Sequence, residues 1–211
     1  MNASDELLDV LDESGAPTGQ TKPRNEVHRD GDWHRVLHLW VAREDGTVLL
    51  QRRSRHKELE PEKVDVTVGG HLSAGESVFD AVREAEEEIG LDVRPEQLAH
   101  LGTWRSERRY PNVVDREMQE VFALVCDLPL DRYSLNCREV YQLYEVPLAR
   151  VIDLYRSGTP LPAAGYDCQL RTNDALLIED DLIAQARGTA SEQLEALAIW
   201  LAAGLETLIK E

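Results

Sequence analysis

Residues 70–91, GHLSAGESVFDAVREAEEEIGL, carry the most information in this 211-residue sequence. A glycine-rich loop is followed by a segment in which apolar side chains recur at gaps of four, three and four: Val78, Val82, Ala85 and Ile89. This period is that of a helix with one apolar face. Ser77 is a suitable N-cap and Gly90 a suitable C-terminal stop, so the pattern predicts a helix over residues 77–89.

Three glutamates, Glu84, Glu87 and Glu88, lie on one face of this predicted helix. Their spacing of i, i+3 and i+4 places the carboxylates side by side. Clustered oxygen ligands suit a hard cation, Mg²⁺ or Mn²⁺, which can bridge phosphate oxygens and stabilise developing charge. The alternative is an acidic helix face without a ligand. The glycine loop, Arg83 and the closing Gly90-Leu91 favour the metal site.

This segment resembles the Nudix signature, in which a glycine, a glutamate, an Arg-Glu pair, a Glu-Glu pair and a final glycine recur at fixed spacing. The resemblance implies a fold of the α/β (α+β) class, a mixed β-sheet sandwiched between helices. It implies that Glu84, Glu87 and Glu88 bind the metal, with Glu87, Glu88 and Arg83 in catalytic roles. It also implies that Gly70 opens the loop at the substrate and that Gly75 and Glu76 form the loop–helix junction.

One interval departs from the signature. Family members have seven residues between the first glutamate and the arginine, whereas residues 77–82 give six. The spacing of the three helix glutamates is unchanged, so we expect the metal ligands to be unaffected. The predicted consequence is a weakened or repositioned Glu76.

A narrower resemblance is to type I isopentenyl-diphosphate isomerase. It rests on His28, His34, the LLQRRS strand end, Gly70-His71 and Asp115-Arg116-Glu117. In that family, histidines and two acids at matching places hold a metal. The resemblance therefore implies ligation by His34, His71, Asp115 and Glu117, and it leaves His28 open between a ligand and a structural residue. Three imidazoles and two carboxylates suit a mid-row transition metal more than magnesium.

The isomerase requires a cysteine just before its Gly-His pair, and this sequence has Gly69 there. A glycine has no group that transfers a proton. We therefore expect a metal-dependent hydrolase that cleaves a diphosphate linkage in a nucleotide or nucleoside diphosphate derivative. The alternatives are the isomerase itself and a non-catalytic Nudix module that binds a nucleotide.

Two further groups are candidates for the same site. Arg52, Arg53 and Lys57 directly follow a predicted strand, and arginine forks suit a diphosphate; a surface basic cluster is the alternative. Glu117 is the first choice for an additional metal ligand or general base. Glu120 is the second choice for the base.

We expect the chain to divide into a Nudix domain with an N-terminal strand region (1–158) and a C-terminal extension packed on it (159–211). Short β-rich segments bounded by turn residues predict strands at 7–11 (an edge strand), 36–42, 47–51, 64–68, 98–104, 118–126 and 140–146. A helix is predicted at 148–156. The extension is predicted to contain a long loop at 160–174 and helices at 180–186 and 191–209.

Composition limits the functional classes. Forty acidic against 23 basic residues give a formal net charge of −17, which predicts no binding to nucleic acid or anionic membranes. The acidic N-terminus is unlike a signal peptide. The three cysteines form no CxxC motif, so we expect reduced thiols in a cytoplasmic protein. The expected partner is a small-molecule diphosphate, and a homodimer is left open because Nudix relatives are often dimers.

Overall fold

The computed structural model describes residues 6–208. Within that range eleven strands form one sheet: β1 (Leu7–Leu11), β2 (Pro17–Pro23), β3 (Trp33–Ala42), β4 (Thr47–Arg53), β5 (Val64–Asp65), β6 (Val68–His71), β7 (Ala99–Tyr110), β8 (Val113–Val125), β9 (Val140–Pro147), β10 (Leu161–Asp167) and β11 (Thr172–Leu177). The helices are α1 (Arg24–Asp30), α2 (Arg83–Ile89), α3 (Leu148–Ser157) and α4 (Arg187–Leu208).

Strand β3 is the centre of the sheet. It pairs in parallel with β8 over its whole length, with His34 opposite Glu117. It also pairs antiparallel with β6, where Val36 lies opposite His71. These two registers bring residues that are far apart in sequence to one end of β3.

The two faces of β3 pack against different helices. Leu37, Leu39 and Val41 form a core with the apolar side of α2. Trp40 and Ala42 face the other way, into a core that includes residues of α3 and α4. This alternation follows from the two-residue period of a strand. The sheet therefore lies between helices, and the predicted α/β (α+β) class is confirmed.

Helix α2 is shorter than predicted and begins at Arg83. Both the backbone N–H and the hydroxyl of Ser77 donate to Asp80 Oδ2, at 2.9 and 2.7 Å. The Asp80 N–H in turn donates to Ser77 Oγ at 3.3 Å, so Ser77 and Asp80 form the reciprocal pair of a capping box, as the predicted N-cap requires. The residues that follow form turns closed by hydrogen bonds to the carbonyl three residues back, and regular α-helix begins only at Arg83. The predicted stop is confirmed, because Gly90 has the left-handed φ of 67° and its N–H bonds back into α2.

The prediction of a long loop at 160–174 is wrong, because β10 and β11 form a hairpin there. Leu161 pairs with Leu177 and Tyr166 with Thr172, and β10 extends the sheet beside β9. The prolines misled the prediction: Pro162 precedes the part of β10 that pairs with β9, so its missing N–H is tolerated.

Other predictions at the two ends of the chain need correction. Strand β1 exists, but the unpredicted β2 lies outside it, so β1 is not the edge strand. Residues 180–186 form only short 3-10 turns. Helix α4 covers the second predicted C-terminal helix, except that Ile209 lies outside the described residues.

The prediction of three reduced thiols is also wrong. Cys137 and Cys168 are joined by a disulfide, whereas Cys126 is free. Cys137 precedes β9 and Cys168 follows β10, so the pairing of these strands brings the two Cα atoms to 5.3 Å, within the usual range for a disulfide. In the described part of the chain, α4 included, no helix is both long and apolar enough to cross a membrane.

Candidate active site

A polar cavity of about 520 Å³ opens at the end of β3 and β6. Successive residues of β6 point to opposite faces of the sheet. Gly70 lies against Glu84 of α2, so closely that a Cβ at this position would overlap the glutamate side chain. His71 instead lies against His34. The cavity therefore borders both the α2 glutamates and a cluster of histidines.

The histidine cluster consists of His28 from α1, His34 from β3 and His71 from β6. Their ring centroids lie 5.1 to 5.4 Å apart. The Nε2 atom of each ring is buried without a hydrogen-bond partner. Burial, assisted by the neighbouring charges, lowers the pKa of His28 to about 3 and that of His71 well below its usual value. These two imidazoles are neutral at pH 7 and can offer a lone pair.

Two carboxylates of β8 complete the cluster. Asp115 Oδ1 lies 3.7 Å from Nε2 of both His28 and His34, and it too is buried without a hydrogen-bond partner. Glu117 is also buried, and one of its oxygens lies within 4.8 Å of ligand atoms of His34 and Asp115. The backbone carbonyl of Asp32 accepts a hydrogen bond from His34 Nδ1 at 3.3 Å, which directs Nε2 toward the cluster as the nitrogen that can serve as a ligand.

This donor set fits a metal ion. Four buried ligand atoms that have no hydrogen-bond partner lie close together: Nε2 of the three histidines and Oδ1 of Asp115. Leaving them unpaired costs free energy of folding unless a ligand binds them. Nitrogen and oxygen ligands in this mixture suit a mid-row divalent cation. His28, which the sequence left undecided, lies in the cluster with the predicted ligands His34, His71, Asp115 and Glu117. We call these five residues the histidine centre.

The positive charge beside the histidine centre comes from Arg108 of β7. Its guanidinium bonds to Asp115 at 2.7 Å and also to Glu117. The side chain is nearly buried and lines the cavity. Arg108 was not among the predicted site residues, because the contact depends on the β7–β8 register that places it opposite Asp115. Arg24 of α1 was missed as well; it lines the cavity with a buried, unpartnered Nε.

The three helix glutamates have different environments. Glu88 is buried, and Glu84 is largely buried with 17 % of its side chain exposed, whereas Glu87 is 58 % exposed. Burial, with the nearby Glu88 charge, raises the pKa of Glu84 to about 7. Burial also raises the pKa of Glu88, against the lowering effect of Lys57. In the part of the chain that the structure describes, the carboxylate oxygens of these three glutamates do not all come within 4.8 Å of one another, unlike the ligand atoms of the three histidines.

The loop–helix junction retains its contacts despite the short interval. Glu76 accepts a hydrogen bond from the Ser73 N–H at 2.8 Å and one from Arg83 Nε at 3.1 Å. Arg83 also contacts Glu84 and Glu87. The six-residue interval is spanned by the turns after Ser77, and Glu76 contacts both sides of the junction. The expectation of a weakened or repositioned Glu76 stays a prediction. The adjacent Gly75 adopts a left-handed φ of 79°.

The predicted substrate-binding residues separate into two groups. Lys57 lines the cavity, with its Nζ 3.4 Å from Glu88 Oε1. Arg53 also lines it, but its guanidinium bonds to Asp65 and to the carbonyls of Leu59 and Glu60.

The third predicted substrate-binding arginine has a structural role. Arg52 bonds to the Tyr144 hydroxyl at 2.7 Å, to the Glu62 carbonyl and to Asp181. It points to the opposite face of β4 from Arg53, because successive strand residues alternate. It does not line the cavity, so its predicted role in substrate binding is wrong.

The same alternation decides between the two candidate bases. Asp115 and Glu117 point into the cavity. Glu120 lies on the other face of β8, where it accepts hydrogen bonds from His100 and Thr103 at 3.1 and 3.0 Å. The prediction that Glu120 could be the base is wrong.

A model of the NUDIX domain family matches residues 32–144. An uncharacterized Nudix hydrolase of Clostridium acetobutylicum is 34 % identical over 155 residues, which cover 71 % of this chain and 75 % of that protein. An isopentenyl-diphosphate delta-isomerase of Streptomyces avermitilis is 32 % identical over 127 residues, covering 59 % of this chain and 64 % of the isomerase. A crystal structure of a Deinococcus radiodurans protein has a TM-score of 0.56 at 21 % identity, covering 72 % of this chain and 90 % of that one, and shows the fold alone.

The signature loop, the glutamates of α2 and these matches define the class. The chain belongs to the Nudix family and is a Nudix pyrophosphohydrolase. The predicted similarity to the isomerase subgroup is confirmed by the Streptomyces relative.

Proposed function

We propose that this protein is a divalent-metal-dependent hydrolase that cleaves the diphosphate linkage of a nucleotide or nucleoside diphosphate derivative. The observation that carries the proposal is the convergence of four buried, unpartnered ligand atoms: Nε2 of His28, His34 and His71, and Oδ1 of Asp115. A Nudix chain with such a centre beside its signature helix has the groups that a metal-assisted anhydride hydrolysis needs.

Two sets of residues would hold metal in this proposal. The histidine centre would hold a mid-row transition ion, for which its nitrogen and oxygen donors are suited. Glu84, Glu87 and Glu88 would hold Mg²⁺ or Mn²⁺ beside the substrate. When bound, these cations supply positive charge that stabilises phosphate oxygens and activates water.

The chain's own residues then bind and orient the diphosphate. Lys57 has a flexible ammonium group at the cavity wall, and its partner Glu88 is itself a proposed metal ligand. Lys57 also pairs with Glu139 at 2.5 Å, and from this position at the cavity wall its ammonium group would bind a phosphate oxygen. Arg53 holds the loop that carries Lys57, and Gly70 lets the backbone approach Glu84 closely.

The test is a panel of nucleoside diphosphate derivatives, incubated with chelator-treated protein and then with Mg²⁺ or Mn²⁺. Release of phosphate, pyrophosphate or a nucleoside monophosphate should require the added metal. The matched control is Glu88→Gln, which keeps the side-chain volume and removes the charge. If no member of the panel is cleaved under either metal, the nucleotide-binding module becomes the better explanation.

Isomerisation of isopentenyl diphosphate remains the second candidate function because of the isomerase relative. Gly69 argues against it, since it offers no proton-transfer group. A Cβ at this position would lie 3.9 Å from the His38 ring, so His38 is the nearby group that could substitute. Incubation with isopentenyl diphosphate should give no allylic product at a useful rate, and clear turnover would place the isomerase first.

A further inference from the structure

A buried chain of hydrogen bonds connects the C-terminal helix to the histidine centre. Gln193 of α4 donates through Nε2 to Gln119 Oε1 at 2.8 Å. Gln119 of β8 donates through Nε2 to Glu117 Oε2 at 2.7 Å. Both glutamines are 1 % exposed, so their amide groups depend on these partners for their hydrogen bonds. Gln193 also lies outside residues 32–144, the part of the chain that matches the family model.

The direction of every bond in this chain is fixed by Trp40. Its indole N–H, which can only donate, lies 3.2 Å from Gln193 Oε1. The amide of Gln193 must therefore turn its oxygen toward Trp40 and its nitrogen toward Gln119. The same reasoning makes Gln119 an acceptor at its oxygen and a donor toward Glu117. His38 Nδ1, at 3.2 Å from the same Gln193 oxygen, is a second donor to it.

The consequence falls on Glu117. Its Oε2 accepts from Gln119, while its Oε1 meets Arg108. With both oxygens bound from different sides, rotation of the carboxylate about its χ angles is restricted. In this orientation an oxygen of Glu117 lies within 4.8 Å of the ligand atoms of His34 and Asp115.

We propose that Gln193 is a positioning residue, through which α4 fixes the orientation of Glu117 in the histidine centre. The inference rests on the part of the proposed function that makes Glu117 a metal ligand. It does not depend on the substrate or on hydrolysis. Removing a residue that hydrogen-bonds to a metal ligand lowers metal affinity by about 10–100-fold.

A double-mutant cycle on Mn²⁺ affinity tests the inference. Binding is measured by calorimetry, and pulsed electron paramagnetic resonance identifies the Mn²⁺ that has histidine nitrogen neighbours. Gln193→Met and Gln119→Met should each weaken binding at that centre by about tenfold. Combining them should add nothing further, because either change already breaks the chain. Gln142→Met is the control, since Gln142 is a buried glutamine that bonds to Asn173 away from the cavity.

Gln193→Glu is the second variant in case Gln193→Met fails to fold. It keeps acceptors for Trp40 and His38 but, when ionised, cannot donate to Gln119, and it should weaken Mn²⁺ binding as well. Circular dichroism and Tm establish that each variant is folded.

The outcomes separate this inference from the proposed function. Folded variants with wild-type affinity, or effects that add in the double variant, would overturn the positioning role. Wild-type protein that binds Mn²⁺ without histidine neighbours would overturn it together with the metal centre. Coupled losses of affinity in a protein that hydrolyses nothing would support the positioning role and overturn only the hydrolase.

Discussion

The rings of His34 and His71 are stacked, with centroids 5.1 Å apart and 12° between their planes. One ring belongs to the central strand and the other to the strand that leads into the signature loop. Their Nε2 atoms are both buried without partners. Two such rings are more easily explained as ligands that share a cation than as packing, because each unpaired nitrogen costs free energy.

His34→Ala should remove the metal from the histidine centre. We expect a loss of at least ~100-fold in Mn²⁺ affinity there, because a nitrogen ligand is removed and the remaining donors cannot close around the ion. Titration calorimetry measures the affinity. His100→Ala is the matched control, since His100 is an exposed histidine whose partner is Glu120; equal affinity in the two variants would contradict the assignment.

Glu88→Gln should separate activity from stability. We expect kcat to fall by at least ~100-fold, since each carboxylate on a catalytic cation contributes charge stabilisation worth roughly several kcal/mol. Without metal the folded protein should be as stable or more so, because a buried charge is removed. Glu86→Gln is the control on the same helix, exposed at the surface. Full activity of Glu88→Gln would reject Glu88 as a ligand. A similar loss is expected for Glu87→Gln.

The pH dependence of stability should reveal Glu84. Its folded-state pKa of about 7 lies above its value of 4.5 in an unfolded chain, so the folded state binds the proton more tightly. By linkage, this group stabilises the fold most at low pH, and its contribution falls as the pH rises from about 4.5 to about 7. Urea unfolding of metal-free protein across that range measures the slope. Glu84→Gln should shift the slope in the positive direction, so that stability rises more or falls less with increasing pH, and an unchanged slope would contradict the pKa.

Glu76→Gln should cost less activity than Glu88→Gln, by roughly tenfold or more, which is about 1.4 kcal/mol in the barrier. The structure gives the reason: Glu76 holds the Ser73 N–H and Arg83 at the junction, and it does not line the cavity. An amide at this position keeps one acceptor for these donors. The ratio of kcat values for the two variants is the measurement, and a ratio near one would show that the junction is as critical as the metal ligand.

The predictions that succeeded from sequence rest on local patterns. Helical spacing predicted Glu84, Glu87 and Glu88 on one face; Glu84 and Glu88 are largely buried, whereas Glu87 is exposed. The predicted helix stop at Gly90 is confirmed. The motif spacing that marks the isomerase subgroup also identified His34, His71 and Glu117, which the structure brings together. In each case the information lies within a few residues or in a family pattern.

The failures depend on contacts between distant segments. Arg52 and Arg53 are neighbours in sequence, and only the position of Tyr144 on β9 shows which of them turns away from the cavity. Cys137 and Cys168 meet because β9 and β10 pair, and β10 was read as a loop. Arg108 and Gln193 reach Glu117 through the β7–β8 register and the docking of α4. No spacing rule within one segment contains that information.

The central claim is that this Nudix chain holds a divalent cation between its three histidines and the two acids of β8. A crystal grown with Mn²⁺ and measured for anomalous scattering at the manganese edge tests it most directly. The account predicts an anomalous peak within coordination distance of Nε2 of His28, His34 and His71, with Asp115 or Glu117 completing the site. An ordered cavity with no anomalous peak at these atoms would contradict it.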